Sequence, residues 1–228
     1  MNEFFSSDGP LMGFMQKTGE LILLGLLWFL CSLPIVTIGA SSTALYYAVV
    51  KSVRKGRGYV TKEFFRSFKR NLAKGSLLTI IIMGTAALLL YYREYIGLSA
   101  AGEVTALWQL FLPENQGVSI TLFIVYDGIL LILAFMLVYL FPVLSRFDMK
   151  LGDIMKLSFV ISIRYFYFTI LILSGFVLMV VLQWNYLPAP VVLFLPGVWT
   201  YAISFLTEKS MRKYIKAPEP GVDAWYLE

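Results

Sequence analysis

Asp127 stands in Val125-Tyr126-Asp127-Gly128 and is the one acidic residue well inside an expected apolar span, residues 118–141. A lone carboxylate at membrane depth is expensive, so it marks a candidate site for relaying protons or binding a cation or sugar hydroxyls. The competing reading is structural. Asp127 lies roughly two to three helical turns from the end of its span, where it can bond hydroxyls or reach a wet vestibule. A second constellation is Pro34, Thr37, Gly39, Ser41, Ser42 and Thr43. Its hydroxyls can line a polar site. Equally, Pro34 can stop a helix, Gly39 can supply turn freedom, and one of Ser41, Ser42 or Thr43 can cap the next helix. Asp148 and Asp153 sit among basic residues, which favours salt bridges or solvation over a glycosidase-like acid pair.

Other reactive chemistry is scarce. There is no histidine, hence neither the commonest general base nor the commonest metal ligand. Cys31 is the single cysteine, which excludes an intramolecular disulfide and a cysteine metal cluster. It reads as a small packing residue. No P-loop, His-Glu-x-x-His or Gly-x-Ser-x-Gly motif occurs. The expectation is a protein that is not an enzyme and uses no cofactor or metal.

The elements that must position these residues follow from composition. Hydrophobic residues make up 59% and charged residues 14% of the chain, against about 45–50% and about 25% in soluble domains. The mean hydropathy is +0.75. Residues 21–50 and 165–207 carry no charge, and such continuous runs can cross the hydrocarbon layer as helices. A β-barrel would show short alternating segments instead. The expected fold is an all-α polytopic membrane protein, one integral domain over residues 1–228, with a short polar segment at 1–17 and a cytoplasmic tail at 208–228. Glu3 and Asp8 precede the first apolar run where a secretory leader would carry basic residues.

Spans are expected at 18–33, 42–53, 75–92, 118–141 (ended by Pro142), 165–182 and 191–206. Six crossings put both termini inside. The 42–53 helix is short and can instead be re-entrant, which leaves five crossings and an external N-terminus. Residues 51–74 hold nine Lys or Arg against Glu63 alone, which places them on the cytoplasmic side. Lys55-Gly56-Arg57-Gly58 reads as a turn. Residues 61–74 read as an amphipathic helix capped by Thr61, with Phe64, Phe65, Phe68 and Leu72 on one face and Lys62, Arg66, Lys69 and Arg70 elsewhere. Such a helix lies among anionic headgroups, so the partner of residues 51–74 is expected to be the bilayer and not nucleic acid. The connection at 93–117, with Arg93, Glu94, Glu103 and Glu114, is expected outside. Residues 145–164, with a half-immersed helix at 153–163, are expected inside. Glu20 reads as a helix-start residue, and Gly84 and Gly175 as sites of close helix packing. Residues 63–84 and 153–175 echo each other weakly, in an acid, a Ser-Phe pair and then a span.

Several stretches resemble a known group: residues 5–8 with Pro10, the run 28–41, then 43–47, Gly58-Tyr59, and Phe64 through Asn71. They resemble the YesL family of bacterial membrane proteins, and the match is specific over about the first 85 residues. The resemblance implies a bacterial plasma-membrane protein, mostly of Gram-positive lineages. Family genes often neighbour those for carbohydrate-uptake ABC transporters and polysaccharide breakdown. It therefore implies an accessory role beside transporter membrane subunits. It brings no activity, ligand or catalytic residue. The alternative expectation is a small-solute transporter or channel using Asp127.

Overall fold

The computed structural model describes residues 10–100, 116–186 and 194–214. Among these every regular element is helical. α1 is Pro10–Ser32, α2 is Ile38–Ala48, α3 is Val60–Ala100, α4 is Gln116–Arg146, α5 is Leu151–Arg164, α6 is Phe166–Tyr186 and α7 is Leu195–Met211. A 3-10 turn at Ile35–Thr37 leads into α2, which continues as a π-helical segment at Val49–Arg54. Among the described residues four helical stretches are long and apolar enough to cross a membrane: Met12–Ser32, Val60–Arg93, Ile124–Arg146 and Phe166–Trp184. The chain is therefore a helical membrane protein. α2 with its π extension, and α7, are shorter than these four.

α2 is the centre of the bundle. Ala40, Ala44, Ala48, Val49 and Val50 are fully buried, and Tyr46 and Tyr47 nearly so. It packs between α1, α3, α4 and α7, so its apolar face extends all the way round, as an enclosed helix requires. Two clusters surround it. One joins Leu24 of α1 to Leu45, Val49 and Phe64. The other joins Tyr46 and Val50 to Leu78, Leu140, Leu144 and Ile154.

Gly39 does its work in packing. Among the described residues the positive φ angles belong to Gly56 (66°) and Gly58 (81°), in the turn expected there. Gly39 lies in the first turn of α2, where a Cβ would collide with the Thr79 hydroxyl and come within 2.5 Å of the Gly75 carbonyl. A Cβ on Gly75 would in turn sit 2.7 Å from the Ala40 Cα. The α2 and α3 backbones thus touch, the close approach that small residues permit. Gly197 meets the Leu21 carbonyl of α1 in the same way, and Gly175 abuts Trp199. Gly84 has nothing within 4 Å, against expectation.

Several boundaries differ from the sequence reading. The amphipathic stretch from Thr61 and the span from Gly75 are one helix, α3, which begins at Val60, so Thr61 is inside it. Nothing between Lys74 and Gly75 breaks a helix, and a charged-to-apolar change does not interrupt the backbone ladder. The four apolar residues of that stretch divide. Phe64 is fully buried and Phe68 half-buried, whereas Phe65 and Leu72 are exposed. α4 runs through Pro142 to Arg146, since a proline removes one hydrogen bond without necessarily ending a helix. Arg93, expected in a connection, is helical. Glu103, Glu114, residues 5–8 and residues 187–190 lie outside the described residues.

Candidate functional site

The polar groups gather at one end of the bundle, formed by the start of α1, the turn at 55–59, the start of α3 and the ends of α4 and α7. This basic end holds two buried ion pairs. Glu208, near the end of α7, accepts from Arg146 Nη2 at 2.6 Å and Nε at 3.0 Å. The Tyr46 hydroxyl donates to the same carboxylate oxygen at 2.8 Å and shares a second 2.8 Å bond with Thr207 Oγ1. The Arg146 and Glu208 side chains are 4% and 13% exposed, so solvent does little to weaken the pair. α2, α4 and α7 are joined here through one carboxylate.

The second pair is Lys51 with Glu63, 2.9 Å apart and 11% and 8% exposed. The Lys51 ammonium also donates to Tyr47 at 3.3 Å. Tyr46 and Tyr47 are consecutive on a helix, about 100° apart, so they serve different neighbours. Arg54 donates to the Ser204 carbonyl at 3.0 Å and lies over the Phe205 ring. Lys51 and Arg54 both belong to the π-helical segment, a wider winding that often occurs at functional positions.

The inner face of α7 carries Gly197, Thr200, Ser204, Thr207 and Met211, at helical spacing. Small hydroxyl residues there let α7 approach α1 and α2 while bonding back to their own helix, as Ser204 does to Tyr201 and Thr207 to Ile203. At the margin of this end, Lys74 of α3 pairs with Asp148. That hydrogen bond and charge hold the exposed Asp148 carboxyl below its ordinary pKa.

Asp127 is at the other end. It accepts from Arg93 Nε at 2.7 Å, with side chains 52% and 41% exposed, and Tyr126 stacks on Tyr92 beside it. On α3 the residues between Lys74 and Arg93 are uncharged, and on α4 so are those between Asp127 and Arg146. Each interval is 19 residues, or about 28 Å of helix. The antiparallel helices are therefore clipped by an ion pair at each end of an uncharged stretch about as long as a hydrocarbon layer is thick.

The hydroxyl constellation is a joint. Thr37 precedes α2, but its hydroxyl turns back to the Cys31 carbonyl at 2.6 Å and the Pro34 carbonyl at 2.7 Å, satisfying acceptors at the end of α1. Ser41, Ser42 and Thr43 do not cap α2, because the helix already begins at Ile38. Ser42 accepts from Trp28 Nε1 at 3.1 Å, and Thr43 donates to the Gly39 carbonyl at 2.7 Å. The Ser41 hydroxyl is buried with no hydrogen-bond partner among the described residues. The structure does not bring this group to Asp127. Glu20, expected at a helix start, instead lies inside α1, which already begins at Pro10, and it accepts from Gln16 one turn earlier. No group of three or more metal-binding side chains occurs among the described residues.

The buried pairs were not singled out from sequence. Their signal was present. Glu63 is the lone acid among nine basic residues, and Glu208 directly precedes Lys209 in a basic tail. An isolated acid in a positive segment invites a search for a buried cation.

Comparison with known proteins gives a consistent picture. Residues 21–92 match the family described as "Protein of unknown function, DUF624". The chain is 31% identical over 160 residues to the "Uncharacterized protein YesL" of Bacillus subtilis (strain 168), covering 68% of each sequence. The chain belongs to the YesL family. No solved structure matches it. The family match spans the second half of α1, all of α2 and the α3 segment that packs on it, including the Gly39–Gly75 contact and the Lys51–Glu63 pair. Arg146, Glu208 and Asp127 lie beyond it.

Proposed function

We propose that this YesL-family protein is a non-enzymatic accessory component of the bacterial plasma membrane, supporting a carbohydrate uptake system by docking to transporter membrane subunits. The observation that carries the reading is the commitment of four membrane-flanking carboxylates to cations. Glu63, Asp127, Asp148 and Glu208 each face a cation. A relay or cation site is best served by a carboxylate with no resident cation, and Asp127 has Arg93 beside it. Asp127 belongs to the membrane–water interface, one hydrocarbon thickness from Arg146. The carbohydrate connection comes from the family's gene neighbourhoods.

The positive-inside bias puts the basic end in the cytoplasm. With α2 and α7 counted as crossings, six passes return both termini to that side. α2 with its extension has 17 residues (11 and 6), about 26 Å, and is enclosed by protein, so it can cross without a long lipid-facing surface. α6 offers an apolar face for lipid or a partner helix, with Val177 60%, Leu178 58% and Leu171 57% exposed.

The test is a deletion strain grown on a panel of oligosaccharides and complemented with wild-type or Asp127→Asn protein. The expected result is a growth defect on particular oligosaccharides that both versions rescue. Rescue by wild type alone would return Asp127 to a functional role and favour a conduit.

A further inference from the structure

We propose that the outward face of the first turns of α3 is a docking surface for anionic phospholipid headgroups, built from Lys62, Arg66 and Lys69. The structure sorts the cations of the basic block. Lys51 is committed to Glu63, Arg54 to Ser204 and Phe205, and Lys74 to Asp148. Arg70 reaches the Ser145 carbonyl and the Tyr47 ring. Lys62, Arg66 and Lys69 are exposed and make no ion pair with another described residue.

Their spacing, i, i+4 and i+7, puts them on one stripe of α3. Leu72, 39% exposed and two residues before Lys74, lies beside the stripe as an apolar residue able to enter the acyl boundary. The opposite face is locked, with Phe64 fully buried against α2 and its neighbours. The cations are therefore presented by a fixed helix that leads directly into the uncharged stretch after Lys74. Unpaired positive charge beside an apolar wedge at the mouth of a span complements a phosphodiester anion above an acyl chain.

The geometry also grades the contributions. Lys69 is five residues before Lys74, about 8 Å, Arg66 about 12 Å and Lys62 about 18 Å along the axis. Long side chains reach back toward the membrane, and the field of the headgroups fades over a Debye length of about 8 Å at physiological salt. Lys69 therefore contributes most and Lys62 least.

The test uses the full chain in nanodiscs or mixed micelles containing phosphatidylglycerol and phosphatidylcholine, with retained lipid counted by native mass spectrometry. Lys69→Gln should lower the preference for phosphatidylglycerol roughly fivefold, Arg66→Gln by somewhat less and Lys62→Gln least, with the triple variant down by about twenty-five-fold. A control triple, Lys150→Gln with Lys156→Gln and Lys213→Gln, removes as many charges elsewhere on the basic end. Lys150 shares a groove with Asp148 and Asp153, so this triple should change the preference little. Unchanged preference in the stripe triple, or equal loss in both triples, would overturn the proposal. Displacement of the lipid by millimolar inorganic phosphate would also overturn it, by assigning the stripe to free anions. Melting in an uncharged detergent should be unchanged for the stripe variants. The single substitutions keep the test alive if a triple fails to fold.

Discussion

Glu208→Gln tests the buried pair at the basic end most sharply. The carboxylate takes two bonds from Arg146 and one from Tyr46, all on a single oxygen. The Arg146 side chain is only 4% exposed, so loss of the anion leaves a guanidinium that water cannot readily solvate. Removing one member of such a pair costs about 3–5 kcal/mol. Replacing both members by apolar residues, as in Arg146→Met with Glu208→Leu, removes the stranded charge and should recover most of that loss. The assay is denaturant-induced unfolding in one detergent for wild type, Arg146→Met, Glu208→Leu and the double variant, read as a double-mutant cycle, with Glu208→Gln measured alongside. A double variant more stable than either single is the expected outcome. A Glu208→Gln loss under about 1 kcal/mol, or a double-variant loss equal to the sum of the singles, would refute the idea that the pair is desolvated and coupled.

Further outcomes are expected by the same reasoning. Tyr46→Phe removes the hydroxyl that joins α2 to α7 and should cost about 1.5–3 kcal/mol in the same unfolding assay, since one of its bonds is to a charged group. Gly39→Ala drives a methyl into the α3 backbone and should destabilise by about 1–3 kcal/mol, whereas Gly84→Ala should be close to neutral. Because Lys74 depresses the pKa of Asp148, the pair stabilises the fold above the ordinary carboxyl value of 3.8 and that contribution is lost as pH falls below it. Melting curves of wild type and Asp148→Asn should accordingly differ slightly at neutral pH and converge below 3.8. Asp127→Asn should cost at most about 1 kcal/mol, because both partners are substantially exposed.

The helical membrane class was legible because apolar run length and charge placement are local properties. The 55–58 turn was legible for the same reason, its two glycines being the positive-φ positions. Gly39 was found but misread. Its importance depends on Gly75 and Thr79, about 40 residues away, and nothing local distinguishes a turn glycine from a packing glycine. Asp127 was identified as unusual while Arg93 was assigned to a connection, because the start of a polar stretch looks like a loop when the helix in fact continues through it. Arg146 counted only as one cation of the cytoplasmic 145–164 segment, and Glu208 was not singled out at the start of the tail. Each sits in a basic or polar segment that the positive-inside effect already explains, and only the meeting of α4 with α7 turns them into a buried pair. The face of Phe64 was clear, but α3 packs on a narrower arc than the apolar residues cover, which leaves Phe65 and Leu72 outside.

The accessory role is tested most directly by purifying the tagged, full-length protein in mild detergent from cells growing on the oligosaccharide that reveals a deletion phenotype. A membrane subunit of a carbohydrate transporter, recovered in a fixed ratio and lost when the protein is absent, is the expected result. Repeated recovery of the protein alone, together with reconstituted protein that moves the sugar by itself and stops on Asp127→Asn substitution, would contradict it.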